Sequence, residues 1–220
     1  MLKYQIPGVF LLFCAFVLTL ITSISLPYLP TLDITRAYFG DLQVTIANEP
    51  SNQLRMGVWT YCHYILNGDR QCPNTGYAYS VLAFDVTTMR DISISSSWTR
   101  GLAVHPVTAI VTIVALVFSL VPRTFPMLVA CVLAFISVLL CFIAFLIDVA
   151  LFAYAKNQFS GNAITGPGLW VNFAAMIVAG IASCSLFIGS RLERAGDEHI
   201  GTASSSTEKR TFLARFRRNK

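Results

Sequence analysis

Long apolar runs alternate with polar segments, and this pattern predicts the architecture of the chain. Four runs are long enough to cross the hydrocarbon core of a bilayer, which takes ~20 apolar residues in a helix. They cover about residues 6–26, 103–121, 125–154 and 169–190. Because lipid offers no hydrogen bonds to the backbone, each run is predicted to be a transmembrane helix. The third run exceeds the membrane thickness, so it either tilts or continues beyond the membrane surface.

The first run also resembles a secretory signal peptide. Lys3 precedes it, and the small residues Ser23 and Ser25 near its end resemble a cleavage site. However, the uncharged stretch from Tyr4 to Leu26 is longer than the usual hydrophobic region of such a peptide, and Pro27 after it suits a helix terminus. We therefore favour a retained span, with cleavage as the alternative.

Short β-strands are predicted in the long polar segment, residues 27–101. Apolar residues alternate there in three series: Leu42, Val44 and Ile46; Leu54, Met56 and Val58; and Tyr77, Tyr79 and Val81. The turn-like stretch NEPSN separates the first two series, and Asn67-Gly68-Asp69 predicts a second turn. Together these features predict a small sheet that caps one end of the helices.

Composition and charge place the chain in a membrane and orient it. Hydrophobic residues make up 55% of the chain and charged residues only 12%, too few to cover a water-soluble globule. The basic residues on one side of the spans are Lys3, Arg123, Arg191 and Arg194, whereas the short segment opposite has only Lys156. The excess of positive charge predicts that both termini are cytoplasmic. Residues 27–101 and 155–168 are then predicted to be extracellular.

Two of the six cysteines, Cys62 and Cys72, lie in the long outer segment, and the other four lie within spans. Disulfides persist in the outer compartment, so we expect these two cysteines to be bonded to each other. The alternatives are a metal site and two free thiols. A metal site is disfavoured because His63 is the only imidazole near the two cysteines, and no second cysteine pair completes a tetrahedral site. No cofactor is expected.

A charged residue within a span is costly, and Asp148 lies within the third one. His105 and Asn172 enter the second and fourth spans at compatible depths, so the three are predicted to form an intramembrane polar cluster. We interpret the cluster as hydrogen bonds that hold the helices together. The alternatives are a titratable group that responds to external pH and an ion path.

Small residues at intervals of four predict a close helix contact on the fourth span. They are Ala175, Ala179 and Ser183, with Gly180 beside them. We expect this face to pack within the bundle. The alternative is a contact with a helix of a partner membrane protein.

The C-terminal segment, residues 191–220, is predicted to be a cytoplasmic tail that is largely disordered. It has eight basic and four acidic residues. The residues predicted to bind anionic lipids of the inner leaflet, or a partner, are Lys209, Arg210, Phe212, Arg215, Phe216, Arg217 and Arg218. The alternative is a solvated tail that only enforces the topology. Nucleic acid binding is not expected, because the basic patch is short and tethered to a membrane.

The G-x-W-x-x-C element formed by Gly57, Trp59 and Cys62, followed by Cys72, resembles the claudin-like superfamily of four-span proteins. Three further stretches are similar to the fungal PalI family of pH-response membrane proteins, which is related to the four-span eisosome proteins of yeast. They are WTRGLAVHPVTA (98–109), FLIDVALFAYAKNQ (145–158) and TGPGLWVNF (165–173). The similarity extends over roughly Gln5 to Arg194.

This resemblance implies a function as well as a fold. PalI-like proteins help a seven-span receptor of the PalH type to reach the plasma membrane, or to function there, during signalling of alkaline pH. The chain is therefore expected to be a non-catalytic accessory protein of the plasma membrane. The alternatives are a structural component of membrane microdomains and a transporter or channel subunit. No phosphate loop, zinc-protease motif or nucleophile elbow is visible, so an enzyme is not expected.

The fold class predicted from all of this is an all-α membrane protein. Its domain, residues 6–190, is a four-helix transmembrane bundle of the claudin-like kind. A small extracellular β-sheet, held by the Cys62–Cys72 disulfide, covers one end.

Overall fold

The computed structural model of the protein describes residues 5–39, 44–73, 76–86, 89–121, 123–159 and 162–217, with side chains except at residues 124 and 193–217. Its helices are α1 (Ile6–Tyr28), α2 (Ser96–Thr99), a 3-10 turn (Arg100–Ala103), α3 (Val104–Ser119), α4 (Thr124–Gln158) and α5 (Pro167–Arg217). In the described part of the chain, four helical stretches are long and apolar enough to cross a membrane: Ile6–Tyr28, Ser96–Ser119, Phe125–Gln158 and Pro167–Leu192. The prediction of four spans is confirmed, and the chain is a multi-pass membrane protein.

Helix α1 packs against α3 and α5, and α4 packs against the same two helices. A close approach of α1 to α5 occurs at Gly8, where an added Cβ would come within 3.0 Å of the Leu186 side chain. Ala175 and Ala179 are buried, as the small-residue stripe on α5 predicted. Ser183 is only half-buried and lines a groove on the bundle surface. The stripe therefore packs within the bundle along its first two positions.

The strands of the cap form one antiparallel sheet. They are β1 (Thr35–Tyr38), β2 (Val44–Ile46), β3 (Glu49–Met56), β4 (Tyr61–Ile65), β5 (Arg70–Gln71), β6 (Val81–Asp85), β7 (Arg90–Ile94) and β8 (Ala163–Thr165). The main order is β5-β4-β3-β2-β6-β7, and β1 pairs with β3 and β8. Strand β8 comes from the short segment between α4 and α5, so both connecting segments build the sheet. The class is therefore not purely all-α, which corrects the prediction.

Two details of the predicted strands also need correction. The stretch NEPSN is not a turn throughout, because Glu49, Pro50 and Ser51 belong to β3. The reversal lies at Ala47 and Asn48, which have positive φ angles of 52° and 67°. The third series likewise becomes a strand only from Val81 onward.

Helix α4 is longer than the hydrocarbon core is thick, and its last turns support the sheet. Its 35 residues correspond to a length of about 52 Å, against ~30 Å for a hydrocarbon core. Leu151 and Ala155 near its end are fully buried in the same apolar cluster as Leu54 and Ile46 of the sheet. The extra length of the third span is therefore a support for the cap.

The backbone of helix α5 continues beyond the apolar part to Arg217, through the segment predicted to be disordered. Alanine, glutamate, lysine and arginine in this segment favour a helix locally. The side chains beyond Leu192 lie outside the described ones, and so does the whole of Arg218. The predicted lipid-binding residues of the tail thus stay a prediction.

Candidate functional site

The end of helix α1 is joined to the sheet through a carbonyl group that the helix itself leaves free. Pro27 has no backbone N–H, so the carbonyl of Ser23, four residues earlier, lacks its usual helical donor. The indole Nε1 of Trp59 donates to this carbonyl oxygen at 2.7 Å. The motif tryptophan therefore anchors the cap to the first span.

A second contact places the motif glycine against the same helix end. The backbone of Ser25 is non-helical, and its Oγ accepts a hydrogen bond from the Val58 N–H at 2.9 Å. A Cβ on Gly57 would lie 2.6 Å from the Cβ of Leu26, so a larger residue does not fit without a shift. The Tyr79 hydroxyl donates to the Gly57 carbonyl at 2.8 Å and fixes this approach from the other side.

The motif cysteines, Cys62 and Cys72, form the predicted disulfide. It joins β4 to the residue after β5, and the predicted turn connects these two strands with Gly68 at a φ of 92°. The Thr60 hydroxyl donates to the carbonyl of Pro73 at 2.9 Å, just beyond the bridge. Of the four motif residues, Gly57 and Trp59 thus attach the sheet to the bundle, and Cys62 and Cys72 close the edge of the sheet.

Trp59→Phe is expected to loosen the cap and leave the transmembrane topology unchanged. Phenylalanine keeps the ring but removes the donor, and the partly buried Ser23 carbonyl is left unsatisfied at a cost of about 1–3 kcal/mol. Limited proteolysis of the purified chain should show faster cleavage in residues 27–101. The matched control is Trp170→Phe, since Trp170 is 59% exposed. Equal protease resistance of the two variants would contradict the anchoring role.

A buried histidine lies in the sheet, where the sequence had offered it only as a poor metal ligand. His63 on β4 is 1% exposed, and neither ring nitrogen has a hydrogen-bond partner among the described residues. Its register partners are Leu54 on β3 and Gln71 on β5. Burial lowers the pKa of His63, and the nearby carboxylate of Glu49 opposes this shift in part. His63 is therefore neutral when the cap is folded at neutral pH.

The cap is expected to lose stability as the pH falls below about 6.5, the ordinary pKa of a histidine. Below that value the unfolded chain binds a proton that the folded cap still excludes, and this favours unfolding. The loss should grow until the lowered pKa is passed. His63→Leu, of similar volume, should flatten this dependence in melting curves measured between pH 7.5 and pH 5. An unchanged slope in the variant would show that other groups cause it.

The three predicted residues of the intramembrane cluster are in direct contact. His105 Nε2 lies 3.0 Å from Asp148 Oδ1, and Asn172 Nδ2 donates to Asp148 Oδ2 at 2.8 Å. All three side chains are buried, with Asp148 fully so. The cluster joins α3, α4 and α5 at a level near the sheet. Both carboxylate oxygens are thus satisfied within the bundle.

A second junction, which the sequence had not indicated, ties α5 to the start of the sheet. The fully buried Asp33 carboxylate accepts hydrogen bonds from Arg36 Nε at 2.9 Å and Nη2 at 2.7 Å. Its backbone carbonyl accepts from the Gly168 N–H at 2.9 Å. An added Cβ on Gly166 would collide with the same carbonyl. The TGPG sequence before α5 is therefore needed for close backbone contact.

Comparison with known protein families identifies the family of this chain. The sequence matches the SUR7/PalI family over residues 4–188, which covers the sheet, the first three spans and most of the fourth. The chain belongs to the SUR7/PalI family. No curated protein matches it. The membership confirms the resemblance seen in the sequence, and the matched residues include the motif and the polar cluster.

The described residues of this SUR7/PalI protein offer no group of three or more histidine, cysteine or acidic side chains that could hold a metal ion. Sequence reasoning identified the motif and the intramembrane cluster. It missed the roles of Ser23, Ser25 and Asp33 because each acts through its backbone or through a partner far along the chain. The proline at position 27 was the available signal, since it frees the carbonyl four residues before it.

Proposed function

We propose that this chain is a non-catalytic accessory protein of a plasma-membrane signalling complex, which assists the localisation or activity of a seven-span receptor of ambient pH. The observation that carries the proposal is membership of the SUR7/PalI family over residues 4–188. The membrane domain, rather than the tail, is thus the part shared with the family. Both termini are cytoplasmic in this proposal, and the sheet faces outward.

The structure supports an accessory role through its rigid, anchored cap. The sheet is fixed to α1 through Trp59, to α4 through a common apolar cluster and to α5 through the Asp33 junction. Such a cap holds its outer surface in one position relative to the spans. It includes large exposed side chains, among them Leu82 at 70% and Tyr77 at 62% exposure. In this proposal the exposed apolar side chains of the cap contribute to the contact with the partner.

An ion path is less well supported. Asp148 is fully buried, and both of its carboxylate oxygens bind neighbouring side chains. Further towards the other end of the bundle, the hydroxyls of Thr112 and Ser137 are hydrogen-bonded to each other. Groups paired in this way hold helices together and offer little to a passing ion.

The family itself favours one second candidate, a structural component of plasma-membrane microdomains. Its description joins PalI to SUR7, and PalI-like proteins are related to the four-span eisosome proteins. In this case the partners are lattice-forming cortical proteins beneath the membrane.

Capture of the full-length chain from its own membranes in mild detergent tests these proposals. Quantitative mass spectrometry of the co-purified proteins should recover a seven-span receptor. A matched capture with Cys62→Ser, in which the cap is loosened but the spans are unchanged, should recover less of it. Recovery of cortical lattice proteins instead would favour the microdomain candidate. An isolated chain that conducts ions in liposomes would contradict both.

A further inference from the structure

A groove runs between α4 and α5 at the end of the bundle away from the sheet. Its cavity volume is about 600 Å³, within the roughly 300–1,000 Å³ of small-molecule sites. Its lining includes Leu128, Val132 and Phe135 on α4 and Cys184, Phe187 and Arg191 on α5. The groove opens on the surface that faces lipid. None of this surface is needed for the receptor contact proposed above.

The groove extends over most of the apolar depth of a single leaflet. On α4 it extends from Leu128 to Phe135, about 10 Å at the helical rise. On α5 it extends from Ser183 to Arg191, about 12 Å. One leaflet contributes about half of the ~30 Å hydrocarbon core. An occupant that enters from the leaflet on this side therefore fits along the groove from the headgroup level inward.

The groove is apolar along its walls and cationic at its end. Arg191 is exposed, and its guanidinium carbon lies 5.1 Å from the centroid of the Phe187 ring, which also lines the groove. Of the described residues that line it, none is acidic. A guanidinium binds phosphate through two parallel hydrogen bonds, and an exposed arginine at the end of an apolar span reaches towards the headgroups. The charge thus selects an anionic headgroup, and the apolar walls accept an acyl chain.

We propose that this groove is a binding site for one anionic phospholipid. An acyl chain lies between the faces of α4 and α5, and the headgroup phosphate binds Arg191. The site does not use the tail residues predicted to bind lipid, 209–218, because its lining residues lie within the apolar stretches Phe125–Gln158 and Pro167–Leu192. It also does not depend on the identity of the partner proteins.

Native mass spectrometry of the full chain tests the site. The protein is purified in mild detergent and incubated with equal amounts of phosphatidylserine and phosphatidylcholine. The wild type should retain phosphatidylserine over phosphatidylcholine. Arg191→Gln should lower this preference by roughly fivefold, equivalent to the ~1 kcal/mol of one arginine at an anionic surface, and leave the preference of the basic tail in place. Arg123→Gln, which removes an exposed arginine at the same end but outside the lining, should leave the ratio unchanged.

A second pair of variants tests the apolar walls. Cys184→Trp fills the groove from an exposed position and should reduce retention of both lipids to the amount that the basic tail binds by itself. Ile181→Trp enlarges an exposed residue of α5 that is not among the lining residues and should retain lipid as the wild type does. The basic tail is identical in all of these proteins, so its own lipid binding is common to them.

Two results would overturn the proposal. One is equal retention of the two lipids by the wild type, or retention by Cys184→Trp at the wild-type level. The other is efficient oxidative crosslinking of the wild type in membranes into dimers that Cys184→Ser abolishes. That result would show that a second copy of the chain occupies the groove.

Discussion

Replacement of Asp148 by leucine is expected to destabilise the helix bundle by about 3–5 kcal/mol, the cost of breaking a buried polar pair from one side. The carboxyl group accepts a hydrogen bond from Asn172 on α5 and is hydrogen-bonded to the His105 ring on α3. Leucine leaves both partner side chains buried and unpaired with it in an apolar layer, where each unsatisfied group is costly. Thermal unfolding of the purified chain in detergent should show the loss. The control is Val149→Leu, a change at an exposed neighbour on the same helix.

The triple replacement of His105, Asp148 and Asn172 by leucine should recover most of this stability. No orphaned polar group remains in it, and buried polar clusters replaced as a unit by apolar side chains are often neutral in stability. Comparing the single and triple variants tests whether the cluster consists of hydrogen bonds that hold the helices together, against the alternatives of a pH-responsive group and an ion path. If Asp148→Asn leaves both folding and every response to external pH intact, the pH-sensing alternative fails. If the triple variant is as unstable as the single one, packing rather than hydrogen bonding dominates at this level.

The spans and the cluster were predictable because the membrane imposes simple rules. A run of apolar residues in lipid has to be a helix, so the four spans follow from hydropathy and length. The depth of Asp148, His105 and Asn172 follows from counting along those helices. Their contact then requires only that neighbouring spans pack side by side.

The sheet was less predictable because its pairings are non-local. Strand β8 pairs with β1, although the two are separated in sequence by most of the chain. Strand β5 has only two residues, too few for an alternating pattern. Pro50 lies in the part of β3 that pairs only with β2, because the pairing of β3 with β4 begins at Ser51. A proline is tolerated at such a one-sided position, whereas local rules favour a turn there.

The anchoring contacts show a further limit of sequence reading. Trp59 was recognisable as a motif residue, but its partner is the backbone of Ser23, which any residue there would supply. The signal for that partner is the absence of an N–H at Pro27. Asp33 and the glycines of TGPG likewise meet through backbone atoms. Contacts of this kind depend on where the chain returns in space, which a single sequence does not record.

Loss of the disulfide is expected to destabilise the cap by about 2–3 kcal/mol, whichever cysteine is replaced. Closing the ten-residue separation of Cys62 and Cys72 restricts the unfolded chain. The bridge also matters locally, because β5 forms only two register pairs with β4 at the edge of the sheet, and Arg70 and Gln71 are exposed. Without the bridge this edge should open first, so hydrogen exchange should rise in residues 61–71 before the rest of the sheet.

The double variant distinguishes the loss of one disulfide bond from the loss of two cysteines with separate functions. Cys62→Ser and Cys72→Ser remove the same bond, so the combination should be no less stable than either alone. Delivery to the cell surface, measured by external labelling, should fall equally in all three. Cys14→Ser provides the control, since Cys14 is a free, half-buried cysteine of α1 that does not line the groove. Clearly additive defects would mean that each sulfur has a function outside the bond. The disulfide at the edge of the sheet would then not explain why the motif needs both cysteines.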